Sequence, residues 1–274
     1  MCPAPDIPDP LRAARDLLTF YLEAGVDCAL SEVPVNRLSD IEPQERPVER
    51  VAPRAPLQRT TLSPPRRAEI GPAPDAAIES ARALAPKAAS LGELRSLLEA
   101  FDGCALKSTA TKLVFADGNP KARIMFVGEA PGRDEDIQGL PFVGRSGKLL
   151  DLMLAAIGLD RTGVYIANIV PWRPPGNRDP SPQETQMCLP FIRRQIELVD
   201  PDILVCLGKP SSQAVLGLKD GIMKTRGRWF DYDTGTRKIR AMATFHPAYL
   251  LRQPIYKRLT WQDLRAAKKA LAAL

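Results

Sequence analysis

The chain has 274 residues, 45% of them hydrophobic, enough to build one large or two small cores. Its net charge of +6 and pI of about 9.1 favour a polyanionic partner through clustered Lys and Arg. Met1 to Asp9 carries three prolines and two acids but neither a basic segment nor an apolar run, and the five cysteines are scattered without a CxxC pair. Signal peptide, membrane span, disulfide framework and simple zinc site are therefore not expected, and the protein is read as cytoplasmic with buried free thiols.

Leu11 to Leu30 (LRAARDLLTFYLEAGVDCAL) sets Leu11, Ala14, Leu17, Leu18, Tyr21 and Leu22 at helical spacing, which predicts an amphipathic helix within residues 1–33. It is suited to dock on the main domain or on a protein partner. From residue 34 to 88 the composition turns to Pro, Arg, Ala and Glu, with prolines at 53, 56, 64, 65, 72 and 74. Such a stretch cannot bury enough apolar surface to offset its ordering entropy, so a flexible tether is expected. Order resumes over residues 89–274, where Ser90 N-caps a helix with a Leu91, Leu94, Leu98, Phe101 stripe. Strands are predicted at Arg123–Gly128, Val164–Val170, Ile203–Leu207 and Ile239–Phe245. Helices are predicted at Ser146–Ile157, Ser181–Leu198, Pro210–Leu216 and Tyr256–Leu274. This alternation predicts an α/β domain with a mainly parallel sheet covered by helices on both faces. In such a fold the ligand crevice lies beyond the carboxyl ends of the strands.

The segment after the first strand, GEAPGRDEDIQGLPFVGRSGKLL, opens with Gly128, Glu129, Ala130, Pro131 and Gly132. That loop exposes consecutive N–H groups, and Glu129, Asp134, Glu135 and Asp136 crowd carboxylates beside it, a pattern that points to a site rather than to a solvated acidic loop. GRSGK is not a P-loop: Phe142 stands where the motif needs glycine and Leu149 where it needs Ser or Thr. Phe142 is a core residue or a flat face on which a base stacks. Asn168, after the second strand, offers an acceptor and a donor side by side, the pattern that reads a nucleobase edge, although asparagine also caps turns. Pro171, Pro174, Pro175 and Gly176 stiffen the next loop, from which Arg173 and Arg178 suit phosphate contacts. After the last strand comes FHPAYLLRQP, with His246, the single histidine of the chain, then Tyr249, Leu250, Leu251 and Arg252. The two leucines read as a wedge for a base stack or as the first turn of a helix on the core.

GEAPGRDED, PFVG, NIVPWRPPGNR, DILVCLG and HPAYLLR, in this order and spacing, resemble the family 4 uracil-DNA glycosylases over about Leu91 to Leu274. The resemblance implies a three-layer sandwich with a central parallel four-stranded sheet, and monofunctional hydrolysis of the N-glycosidic bond of deoxyuridine in DNA, which leaves an abasic site for base excision repair. It implies a uracil pocket made by Gly128, Glu129, Ala130, Gly132, Phe142, Asn168 and His246. In that pocket Phe142 stacks on the flipped base, Asn168 reads N3–H and O4, and His246 donates to O2. Glu129 or Glu135 guides the water. Arg173, Arg178 and Arg252 hold DNA, and Leu250 or Leu251 fills the vacated stack. Uracil-containing single and double strands are the implied partners, acted on by a monomer at the bacterial nucleoid. A non-catalytic sensor of uracil or abasic sites is the alternative.

Members of that family hold an iron–sulfur cluster on four cysteines. Here Cys104 and Cys188 occupy two of those positions, whereas Phe101 and Trp172 stand at the other two. No cluster, metal or other cofactor is therefore expected, and the two aromatics are expected to fill the vacated volume.

Overall fold

A computed structural model describes residues 74–274; the expected helix over Leu11–Leu30 and most of the expected tether lie outside the described residues. In chain order the elements are α1 (Pro74–Leu84), α2 (Leu91–Ala100), α3 (Leu106–Thr109), β1 (Asp117–Gly118), β2 (Ile124–Gly128), α4 (Arg133–Gln138) and α5 (Arg145–Ala156). They continue with β3 (Tyr165–Asn168), α6 (Pro182–Val199), β4 (Ile203–Leu207), α7 (Lys209–Leu216), α8 (Ile222–Thr225), β5 (Trp229–Asp233), β6 (Lys238–Thr244), α9 (Pro247–Arg252) and α10 (Lys257–Ala272).

The four predicted strands form the parallel centre of the sheet, in the order β3-β2-β4-β6. Their apolar runs follow from burial on both faces. Met125, Val127, Leu204 and Cys206 face one cluster, shared with α1, α2 and α6. Ile124, Phe126, Ile203, Val205 and Leu207 face the other, shared with α5 and α10. The result is the expected three-layer α/β sandwich. The sheet nevertheless has six strands rather than four: β1 adds antiparallel to β3 and β5 adds antiparallel to β6. β5 escapes a periodicity search because its residues WFDYD lie half-exposed at the edge, braced by Arg240 stacking 4.0 Å over the Trp229 ring.

The tether expectation is also corrected at its C-terminal end. Residues 74–84 are helical and bury Ala77, Ile78 and Ala81 against the layer that contains α6. Small alanines at helical spacing allow close helix contact, and the proline-rich composition around them hides this pattern. Ser90 and Ser181 cap α2 and α6, each accepting a backbone N–H from the glutamate three residues on. No helix among the described residues is long and apolar enough to cross a membrane.

One buried ion pair fixes the end of β6. Asp263 on α10, 2% exposed, accepts from Thr244 Oγ1 at 2.7 Å and from the guanidinium of Arg226, which also donates to the Leu259 carbonyl. Thr244 closes β6, so this knot positions the chain that enters the next loop. Asp263→Ala leaves Arg226 and Thr244 without their acceptor and is expected to cost about 3–5 kcal/mol in urea unfolding. A loss within about 1 kcal/mol would mean that the pair is peripheral.

Candidate active site

Parallel pairing brings the carboxyl ends of β2, β3, β4 and β6 to one edge, with Gly128 level with Asn168 and Leu207 level with Thr244. The chain leaves β2 towards β3 on one side, whereas β4 and β6 lie on the other. Their loops diverge, and the crevice expected at such a switch point is present. It is a cavity of about 450 Å³ lined by residues that follow all four strands: Glu129 to Gly132 after β2, Asn168 at the end of β3, Gly208 to Pro210 after β4, and Phe245, His246 and Arg252 after β6.

Asn168 is 4% exposed, and neither its Oδ1 nor its Nδ2 has a hydrogen-bond partner. Leaving a buried carboxamide unpaired costs roughly 1–3 kcal/mol per group, so this amide is built for something that enters the cavity. Gly128 makes room for it. A Cβ at position 128 would lie 2.4 Å from Asn168 Oδ1 and 2.6 Å from Phe142 Cζ.

Phe142 lies in the cavity wall, 4% exposed, with φ of +54°, a left-handed conformation unfavourable for a bulky residue. Both flanks are clamped. Arg161 donates to the carbonyls of Pro141, at 3.1 Å, and of Phe142. Glu135 accepts from the N–H groups of Val143 at 3.0 Å and Gly144 at 2.9 Å, and from Gly132 at 3.1 Å. Gly147 on α5 admits the Phe142 carbonyl, which would sit 1.7 Å from a Cβ there.

The two acids that the sequence left open stand in different surroundings. The Glu135 carboxylate is buried at the cavity wall and accepts from three backbone donors, which shapes the loop. Glu129 is half-buried at the cavity, accepts no such set of donors, and is pushed up to about pKa 7 by burial and by the nearby Asp179. Asp136 is buried as well, holding the Thr111 backbone and hydroxyl at 2.7 and 2.9 Å.

His246 N-caps α9. Its Nδ1 accepts the Ala248 N–H at 3.1 Å, which leaves the ring proton on Nε2. Burial, with help from Arg252, lowers its pKa to about 4, so it is a neutral donor at neutral pH. The ring lies beside Phe142, centroids 5.4 Å apart.

The expected DNA contacts divide. Arg178 and Arg252 reach the cavity mouth, although Arg178 also grips Glu184 at 2.6 and 2.8 Å. Arg173 does not project: it donates to Asn177 at 2.6 Å and lies 4.0 Å from the buried Asp136, bracing the loop from within. Leu250 is 1% exposed on the inner side of α9, which corrects its reading as a wedge, whereas Leu251 is 37% exposed. The proline after His246 starts a helix, whose 3.6-residue turn sets adjacent leucines about 100° apart, so that one is buried while the other stays exposed. Tyr249, named in the sequence without a role, lines the cavity, and so do Gly208 and Lys209, which were not singled out. These last two were recoverable, since they follow a core strand as Glu129 does.

The four cluster positions also converge. Phe101, Cys104, Trp172 and Cys188 share one buried apolar cluster, in which the Phe101 ring lies 5.1 Å from that of Phe191. A hydrogen bond from Cys188 lowers the Cys104 thiol, and that bond and burial raise Cys188, so the two sulfurs are neighbours. Among the described residues no group of three or more His, Cys, Asp or Glu side chains converges. A cluster needs about four thiolates. Two thiols, with aromatic rings that offer no ligand atom at the other two positions, do not fit one.

Trp172, 2% exposed, follows Pro171, whose carbonyl accepts from Val114 at 2.9 Å, so indole packing secures the loop after β3. Trp172→Ala is expected to cost about 3–5 kcal/mol in denaturant unfolding and to broaden the backbone NMR signals of Asn168 and Arg173 together. Unchanged signals there would separate the indole from the loop. The purified protein should be colourless, and a visible absorption band with stoichiometric iron would overturn the ligand argument.

The uracil DNA glycosylase superfamily model matches residues 115–265. Curated relatives named type-4 uracil-DNA glycosylase include that of Archaeoglobus fulgidus, 46% identical over 155 residues that make up 55% of this chain and 78% of the relative. Those of Saccharolobus solfataricus, at 41% over 175 residues (62% of this chain, 81% of the relative), and Thermotoga maritima, at 44% over 168 (60% and 86%), are similar to the same region. With a family model covering more than half of its length and matching the strands that build the cavity, the chain belongs to the uracil DNA glycosylase superfamily.

Proposed function

We propose that this protein excises uracil from single- and double-stranded DNA by hydrolysing the N-glycosidic bond of an extruded deoxyuridine. The observation that carries the reading is the unpaired Asn168 carboxamide in a cavity walled by Phe142 and His246. A base inside a duplex stack cannot reach a site at this depth, so the nucleotide turns out of the helix at a cost of a few kcal/mol. Stacking on Phe142 and pairing with Asn168 offset that cost. Asn168 Oδ1 accepts N3–H and Nδ2 donates to O4. Cytosine reverses this pattern and leaves two buried groups mismatched.

Bond cleavage places negative charge on the departing base and positive charge on the sugar. The neutral His246 Nε2–H donates to O2 where that negative charge grows, with the ring fixed by the Ala248 N–H. Glu129, in its ionised form, orients the water that adds to the sugar carbon and takes its proton. Arg178 and Arg252 at the mouth hold phosphates, and Leu251 fills the gap left in the stack. No observation favours the non-catalytic sensor.

The test is incubation with uracil-containing oligonucleotides followed by alkali. Strand scission at the uracil is expected, and none at enzyme excess would refute the activity. Asn168→Ala and His246→Ala should each lower kcat/KM about a hundredfold or more with the melting profile retained. Gly128→Ala should do the same by pushing Asn168 and Phe142 into the cavity. Full activity in any of the three removes that residue's role.

The Glu129 carboxyl is neutral below about pH 7 and ionised above it. kcat/KM should therefore rise about tenfold per pH unit up to about pH 7 and then level. Histidine titration at about 4 lies below this limb. Glu129→Gln should be slow and flat across the range, and a retained limb would assign the titration elsewhere.

We also propose that residues 74–274 are the catalytic unit, with residues 1–73 as a separable arm. Removing 1–73 should leave excision near wild type, whereas removing 1–88 also strips the buried face of α1 and should lower the unfolding midpoint.

A further inference from the structure

On the side of α9 away from the catalytic cavity, α5 and α10 flank an apolar groove of about 240 Å³. α5 lines it with Leu149, Leu152, Met153 and Ala156, and α10 with Lys257, Thr260, Trp261 and Leu264. In each helix these residues stand at i, i+3, i+4 and i+7; the α5 set is apolar throughout, whereas α10 contributes Trp261 and Leu264 beside Thr260 and Lys257. α5 already has a core stripe in Gly147, Leu150 and Leu154. Of the second stripe Met153 also packs on the core, whereas Leu152 is 69% exposed, and across the groove Trp261 is 40% exposed. The floor is Leu250, the leucine that the helix turns away from the DNA side.

Two further observations point to an occupant. Thr260 is 1% exposed, lines the groove, and its hydroxyl has no hydrogen-bond partner. Basic residues also accompany the lining. Lys257 belongs to it, and Lys148, Arg265 and Lys268, each exposed, stand four residues along the helix from Leu152, Trp261 and Leu264. The single acid of α5, Asp151, is bound to Arg161 at 2.8 Å, and that of α10, Asp263, is buried on Arg226. DNA would match the charge but not the apolar floor.

We infer that this groove docks an amphipathic helix of another protein, presenting two or three large apolar side chains at i, i+3 or i+4, and i+7, flanked by Asp or Glu. The apolar face seats against Leu152, Trp261 and Leu250, and the carboxylates meet the basic residues. Such a docking holds the enzyme to a partner while leaving the cavity mouth, across α9, open to DNA.

The test is fluorescence anisotropy of the full chain with three labelled helical peptides: one with a leucine stripe and glutamate flanks, one with the same stripe and lysine flanks, and one with serines in place of the leucines. The first should bind and saturate, and each of the others should be weaker by about tenfold or more. Leu152→Glu and Trp261→Ala, both at exposed positions outside the catalytic machinery, should weaken the first peptide about tenfold or more and leave uracil excision unchanged. The proposal is overturned if the glutamate peptide does not bind, if all three bind alike, or if both variants bind it as the parent does. It is also overturned if sedimentation velocity finds a dimer that Leu152→Glu dissociates, since the groove would then be filled by a second copy.

Discussion

Parallel pairing of four strands, three of them buried throughout and β6 buried over its last four residues, is the constraint from which the site follows. Because β2, β3, β4 and β6 run the same way and in register, whatever follows each strand emerges at one edge, and the reversal of strand order at β2 parts the loops there. Glu129, Asn168, Gly208 and His246 are distant in sequence and neighbours in space for this reason alone. The sandwich keeps that edge rigid by burying both sheet faces under helices, and the Asp263 knot ties the last strand to α10 just before His246.

Within that frame, one loop puts three carboxylates of similar chemistry to different uses. Glu135 and Asp136 are surrounded by backbone donors and hold the chain in shape, and the left-handed Phe142 depends on Glu135 from one side and Arg161 from the other. Glu129 has few donors, an acid nearby and a dry setting, so its proton is held to about neutrality. Environment, not residue type, separates scaffold from chemistry. The same holds for asparagine: an amide that would cap a turn elsewhere is kept unpaired at the cavity.

The loop after β3 depends on a second device. Phe101 and Trp172 are buried in the same apolar cluster as the neighbouring thiols of Cys104 and Cys188. Close packing confines a loop as covalent ligation does, but it is distributed over many contacts and needs no metal. The cavity residues are not among the four positions, so the packing there can change while the site persists.

Read alone, the sequence determined the α/β alternation and the four core strands to within a residue or two, and it singled out Phe142, Asn168 and His246, which line the cavity, and Gly128, which adjoins Asn168 and Phe142, because apolar runs and the residues ending them are local signals. It also carried the exchange of cysteine for Phe101 and Trp172. Tertiary structure alone decided what depends on surroundings: that Glu135 accepts three backbone N–H groups and Glu129 does not, that Arg173 folds back on Asn177, that Leu250 points inward while Leu251 does not, and that α1 belongs to the core. Composition and spacing say which groups are present. Burial and the partners that the fold supplies decide which remain free to act.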